Sequence, residues 1–477
     1  MLRNEMKNMF LLIVNKRRLL GLTTFLFPLA VLAQSQYDYY DDDAVVGGAD
    51  IALSGLIIIF VIVAVAIALL FIVFVIAKVY YWLNPEADPK YKSRFDNNEI
   101  KPDNYLYEPV YKENKAYIPV DFDYKNPADI QKYINQLKKD YELTKATSED
   151  WEDKVIDWGQ HADEEHEIWD RGEASYSKDG RKFLIYEDKL ERYFMKRGVE
   201  IICDNAFSFT HDDKFIDFPN SLKVMGNSVF SRANMKRFDI PSSVVKITGN
   251  PFVACTIGLK CLSSDFVFEN GILYDKRMIR IISVMQYLNM IVYDQTISIS
   301  DNVKIIGRYS FREISCGAVI IPNSVVFIGE FAFSYSNIKR IEVGKNVCEI
   351  ETGAFKGARI STIQLPNSVK CIGPSAFEDC NHLKSIKLSS SLSLIDERTF
   401  KDCSELNDVV VHEGVTIIKK NAFYWCAKLA KIHFPNSLEL IEKDAFSQCA
   451  LSEVVIPKHT IVEEGAFMQS CRIIRKE

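Results

Sequence analysis

The sequence lacks a lysine or arginine anywhere between Leu19 and Ala77, and it lacks cysteine before Cys203. It contains no Cys-x-x-Cys pair, no His-Glu-x-x-His, no Gly-x-Ser-x-Gly, no Gly-x-x-x-x-Gly-Lys and no dinucleotide-binding glycine triplet. These absences remove the paired-ligand zinc site, the metalloprotease helix, the nucleophile elbow and the phosphate-cradling loop. The seven histidines are scattered, so no catalytic constellation and no cofactor site is expected. A basic excess is missing too: the net charge is -6, which gives no reason to expect a nucleic-acid partner. Eleven cysteines, an odd number spread from Cys203 to Cys471 in a chain of 477 residues, do not make a small disulfide scaffold.

What is present begins with two apolar runs. Lys16, Arg17 and Arg18 precede the run 19–33, whose length suits the apolar stretch of a signal peptide, with Val31-Leu32-Ala33 before a cleavage point at Gln34. Residues 1–33 therefore read as a signal peptide, or as an uncleaved first membrane segment. A short acidic loop, 34–50, comes next. Ile51 to Ala77 then runs for 27 residues without a charge, enough at 1.5 Å per residue to span a bilayer of about 30 Å with tilt. A transmembrane helix is expected there, with Tyr80, Tyr81 and Trp82 as an aromatic belt. Lys78, Lys90, Lys92 and Arg94 follow the span, whereas 37–43 is acidic. The charge bias therefore places everything after residue 78 on the cytoplasmic side. Free cysteines fit such a reducing compartment.

Residues 78–125 are rich in Pro, Tyr and charge, without apolar periodicity, and read as a tether. A helical region, 126–178, is expected next. Asn126 can cap a first helix, Pro127 suits its first turn, and Ile130, Tyr133, Ile134, Leu137 and Tyr141 form its stripe. A second helix is expected from about Glu149 to Trp169, with Trp151, Val155, Trp158 and Ile168 as anchors, the two helices pairing or capping the domain that follows. The stretch 161–166, His-Ala-Asp-Glu-Glu-His, has the wrong spacing for a metal and reads as a solvated charged face.

From residue 179 onward one pattern recurs. A marker phenylalanine, usually after alanine, falls at Phe207, Phe230, Phe252, Phe311, Phe333, Phe355, Phe377, Phe400, Phe423, Phe446 and Phe467. From Phe311 the steps are 22, 22, 22, 23, 23, 23 and 21; the gap of 59 before Phe311 marks an insertion at about 262–300. Ahead of each marker comes an apolar-x-x-apolar-x-apolar triplet such as Ile360, Ile363 and Leu365, read as a short strand with one face buried. Pro-x-Ser, a second apolar pair such as Val369 and Ile372, and often glycine then turn the chain. One unit cannot bury its own apolar face, so the units must stack, at about 4.8 Å per strand. Cys255, Cys380, Cys403, Cys426 and Cys449 each follow a marker by three, where four other units hold Thr210, Ala233, Ser336 or Ala358; the site wants a small buried side chain.

The consensus, apolar-Pro-x-Ser-Val-x-x-Ile-Gly-x-x-Ala-Phe-x-x-Cys-x-x-Leu, closely resembles the BspA-like leucine-rich repeats over 179–477. The resemblance implies an α/β-type repeat solenoid, mostly short parallel strands and turns, here preceded by a transmembrane helix and a short helical linker. Its relatives are bacterial and some protozoan surface proteins, several linked to adhesion to matrix proteins. Two further stretches are familial: 265–276, with Asn270-Gly271 as a hairpin turn, and 177–190 as a lead-in or N-terminal cap.

A stacked array exposes columns of strand side chains, its usual binding surface. The candidate columns are Glu342, Gln364, Lys387, Val410, His433 and Val455, and beside them Arg340, Thr362, Ser385, Asp408, Lys431 and Glu453. Their mixed polarity fits a protein partner. The expected function is membrane-anchored protein–protein interaction on the cytoplasmic face, without catalysis. The alternative is a cell-surface adhesin; an enzyme on a repeat scaffold ranks last.

Overall fold

The computed structural model describes residues 123, 125–157, 173–187, 192–210, 215–233, 235, 237–255, 258–285 and 295–476. The two apolar runs, the acidic loop between them, nearly all of the tether and the stretch 161–166 lie outside these residues. Among the described residues no helix is long and apolar enough to cross a membrane.

The repeats form a solenoid with two strands per coil. The second apolar pair of each unit makes two-residue strands, most of which pair in parallel with the equivalent pair of the next unit; the ladder is interrupted after Ile247 and after Ile372. Ile305 and Ile306 lie against Phe327 and Ile328, then Glu349 and Ile350, then Cys371 and Ile372. The triplets form the other ladder: Val319 pairs with Ile341, and Ile363 pairs with Ile386 and then Val409. Inward residues of both ladders meet the marker phenylalanines in the core.

Those markers stack as a column. Successive rings from Phe311 to Phe467 lie 4.7, 5.1, 5.1, 5.5, 5.1, 5.0 and 5.1 Å apart, with interplanar angles of 24° or less. Phe207, Phe230 and Phe252 make a separate stack that Phe183 extends by one ring. Offset parallel rings are a favourable aromatic geometry, and each ring fills the space its neighbours leave.

The insertion divides the marker column in two and fills the gap between the halves. It is an antiparallel meander, Phe266–Glu269, Ile272–Asp275 and Arg280–Val284, whose last strand joins the second-strand ladder in parallel beside Ile305 and Ile306. Asn270 and Gly271, both at positive φ, form its first turn as the Asn-Gly pair requires. Its middle and last strands are buried on both faces. Leu273 and Ile282 face the core of the N-terminal coils, and Ile272, Tyr274 and Ile281 face the core of the C-terminal ones. The meander is thus a wall shared by two cores. The Arg280 guanidinium, itself buried, ties the halves by donating to the Ile247 carbonyl at 2.7 Å.

The lead-in repeats this device. Glu173–Tyr176 and Lys182–Glu187 form a hairpin, and Lys182 and Phe183 pair in parallel with Ile201 and Ile202 of the first coil. The apolar end of the solenoid is thereby covered, as an N-terminal cap must do.

The first expected helix exists as α1, Pro127–Asp140, with the Asn126 side chain accepting from the Ala128 amide. It lies along the outside of the second-strand ladder. Ile130, Tyr133, Ile134, Leu137 and Tyr141 pack on Ile279, Ile305 and Phe327. Lys138 pairs with Glu349 at 3.3 Å and with Glu351 at 2.5 Å, and the Tyr133 hydroxyl donates to Asp275 at 2.9 Å. Asp140 meets the buried Lys246 ammonium at 2.8 Å. The helix is a lateral strap across coils on both sides of the insertion. The second expected helix does not run through 153–157, and its remainder, 158–169, lies outside the described residues. Ser148–Glu152 is helical, with a capping box from Thr147 and Asp150, but Val155–Asp157 is a strand paired antiparallel with Glu173–Tyr176. An available sheet edge outweighs helical spacing for the β-branched Val155 and Ile156.

Candidate interaction surface

The recurrent polar residues of the repeat mostly hold coils together. The serine of Pro-x-Ser donates to a carbonyl of the preceding coil: Ser221 to Val199 at 2.8 Å, Ser368 to Val347 at 2.7 Å and Ser437 to Val415 at 2.9 Å. The cysteines do likewise. The thiols of Cys380, Cys403, Cys426 and Cys449 point at the marker carbonyls of Phe355, Phe377, Phe400 and Phe423 at 3.1 to 3.2 Å. Burial pushes the Cys403 and Cys426 thiols well above their ordinary pKa, so these are structural, unreactive groups. All eleven cysteines are free thiols.

Two positions in most coils, two residues before and two after the marker, are left-handed in non-glycine residues. Tyr309 and Glu313 flank Phe311 in this way, and Asn421 and Trp425 flank Phe423. Their amides donate to the next coil: Tyr309 to the Glu330 carbonyl at 3.0 Å and Glu313 to that of Ser334 at 3.0 Å. Inter-coil hydrogen bonds therefore offset the cost of the left-handed backbone, which is roughly 1–2 kcal/mol per residue.

The side chains free of these duties point outward from the first strands. Arg340, Glu342, Thr362, Gln364, Lys387, Val410, Lys431 and His433 are exposed, and Ser385 is partly so. Register aligns the columns: Thr362 sits beside Ser385 and then Asp408, Gln364 beside Lys387, and Val410 bridges His433. Arg340 and Glu342 form an exposed ion pair at 3.5 Å, worth little to stability and available to a partner. Arg340, Glu342, Thr362, Gln364 and Lys387 share a groove of about 650 Å³ with Lys345 and Asn367. Val410 and Val455, 47% and 44% exposed, supply apolar surface among charges.

Two features escape sequence reasoning. A second groove, of about 740 Å³, opens on the turn side between Arg312, Tyr335, Arg359 and His382. Its residues come from the left-handed turn after each marker, whose outward direction no periodicity announces. The other feature is the outward column of the second strands. As for metals, the one grouping of acidic ligand atoms among the described residues is Glu378, Asp379 and Asp402. Lys356 and Lys401 already reach Glu378 at 3.0 and 3.3 Å, and Lys401 also holds Asp402 at 2.7 Å. These charges are satisfied within the fold.

No curated protein matches the chain. Among solved structures, it is similar to a leucine-rich repeat protein from Eubacterium ventriosum, at 19% identity over 68% of this chain and 96% of that one, with a TM-score of 0.48. It is similar also to one from Bacteroides ovatus, at 24% identity over 41% of this chain and 58% of that one, TM-score 0.32. A third is the pneumococcal vaccine antigen PcpA, at 20% identity over 60% of this chain and 68% of that one, TM-score 0.42. The BspA type leucine rich repeat region matches in six copies, over residues 181–264, 289–359 and 348–474. That is more than half of the chain, and the stacked markers and two-strand coils are what such repeats must build: the chain belongs to the BspA-type leucine-rich repeat proteins.

Proposed function

We propose that the solenoid binds another protein through the outward columns of its first strands, and that the chain is anchored in a membrane by Ile51 to Ala77 with the repeats on the cytoplasmic face. The observation that carries the binding role is the contrast within each coil. Inward residues are held tightly to type, whereas the aligned outward positions Arg340, Glu342, Gln364 and Lys387 vary in charge and shape over a continuous groove, and His433 extends the column beyond it. A rigid, varied, mixed-charge surface suits recognition of a partner protein, with no catalysis and no cofactor required. The uncharged 27-residue run and the basic residues after it support the anchor and its direction, and eleven free thiols accord with a reducing compartment.

Cys371 is exposed, so it serves as a native topology reporter. A membrane-impermeant maleimide applied to intact cells should leave Cys371 unmodified, and should label it after permeabilisation. Labelling in intact cells would place the repeats outside and favour the adhesin reading. For binding, reversing Arg340→Glu with Lys387→Glu should abolish partner association while leaving the unfolding transition in place.

A further inference from the structure

The outward column of the second strands changes character along the solenoid. In the N-terminal coils and through Phe327 every member of it is buried. Ile305 and Phe327 lie under α1, and Lys246 is paired there with Asp140. The cover ends at Glu349, which Lys138 reaches from the edge of the strap. Beyond it the column continues as Cys371, Leu394, Ile417, Leu440 and Ile461, none of them buried, with Ile461 at 65% exposure. On the first-strand face of these same coils the outward residues are largely polar. A single exposed isoleucine is ordinary, but four aliphatic residues in register at about 4.8 Å per strand make an apolar ridge.

The rim of the ridge carries fixed acid among the exposed Lys420 and Lys443. Glu439 precedes Leu440, and Glu442 and Glu463 follow their strands. The carboxylates of Glu442 and Glu463 accept from the Lys420 and Lys443 amides, at 2.7 Å each, which fixes them beside the ridge. The nearby Lys419 is already paired with Asp396 at 2.9 Å. This is the same chemistry α1 answers in the coils up to Glu349, two coils before Leu394, where an apolar helical stripe seats on the column and a lysine meets the flanking glutamates. We infer that the ridge from Leu394 to Ile461 docks a lysine-bearing amphipathic helix of a partner protein, laid beside α1 as a continuation of the interface that α1 makes. This surface is independent of the first-strand columns.

The test uses the full chain in neutral-lipid nanodiscs and an 18-residue leucine/lysine amphipathic peptide carrying a benzophenone, with a leucine/glutamate peptide of identical apolar stripe as its counterpart. Cross-links from the lysine peptide should map to the coils between Leu394 and Ile461 and saturate at one peptide per chain. The double variant Ile417→Ser with Leu440→Ser, at positions facing outward and so compatible with folding, should reduce the yield at least tenfold. Glu442→Lys with Glu463→Lys should reduce it as well, and the glutamate peptide should not cross-link. Equal yield from the double serine variant, cross-links elsewhere, or equal yield from both peptides would overturn the proposal. So would a concentration-dependent dimer of the chain that the same serine pair abolishes, because the occupant would then be a second copy.

Discussion

Replacing Phe377 by alanine removes one ring from the middle of the marker column. The side chain is completely buried, and its ring lies 5.1 Å from that of Phe355 and 5.5 Å from that of Phe400. Truncating a buried phenylalanine costs about 3–5 kcal/mol, from lost burial and from the cavity left behind. Relaxation is limited here, because the coils are tied on three sides: by both strand ladders and by the turn amides, such as Phe377 to the Thr399 carbonyl at 2.9 Å. Each coil contacts only its neighbours, so the damage should be local. Hydrogen exchange followed by mass spectrometry should show the coils around and beyond Phe377 losing protection roughly a hundredfold or more, the factor that about 3 kcal/mol implies. The coils of Phe207 and Phe230, on the far side of the shared wall, should keep theirs. A loss below about 1 kcal/mol, or equal deprotection along the whole array, would refute nearest-neighbour stacking as the source of stability.

Other perturbations address the strap, the thiols and the acid limb. Asp140→Ala leaves the buried Lys246 ammonium without this carboxylate and should destabilise the chain by about 3–5 kcal/mol in chemical denaturation. Burial lowers the Lys246 pKa below 10.5, so the unfolded chain binds more protons in the window just under that value, and stability should rise with pH there. Losing Asp140 should deepen that rise. Ellman's reagent should titrate the exposed Cys371 in the native protein and reach Cys403 and Cys426 only on unfolding; fast native reaction of the latter two would contradict their place in the core. For Glu378, burial alone would raise the pKa, but hydrogen bonds from Ser375, Lys356 and Lys401 outweigh it and hold the carboxyl below 4.5. Its contribution is present above the ordinary value and fades as pH falls through the lowered one, so Glu378→Gln should flatten acid unfolding between about pH 5 and 3, by roughly 1 kcal/mol or less for so mixed an environment.

The marker column is legible in the sequence because a fixed period forces equivalent residues into equivalent places, and only a stack buries them. The α1 stripe is legible for a similar reason, since Asn126, Pro127 and five apolar positions at helical spacing suffice. Where α1 sits is not, because its partners Ile305, Phe327 and Glu349 lie far along the chain. The serine of Pro-x-Ser reads locally as a turn residue, and the cysteine as a small filler. Their hydrogen bonds to the preceding coil emerge only once coils are stacked. The insertion reads as an interruption, yet Leu273 and Ile282 on one face and Ile272 and Ile281 on the other make it a wall between cores. Val155 fits a helical stripe by spacing, but the free edge of the hairpin decides in favour of a strand. The candidate binding columns are legible from alternation within the triplets. The second-strand ridge is not, because Leu394, Ile417 and Leu440 look like ordinary core residues in a sequence.

The most direct test of the stacked architecture is a pulsed electron spin resonance distance between nitroxides at Ile320 and His433, with the accessible native cysteines replaced. Both positions face outward from the first-strand ladder. They are five coils apart, so at about 4.8 Å per strand the account predicts a single narrow distribution centred near about 24 Å, widened by the labels' own reach. A broad distribution, or one centred beyond about 35 Å, would mean that the coils do not lie on one another, and the core described above would not exist.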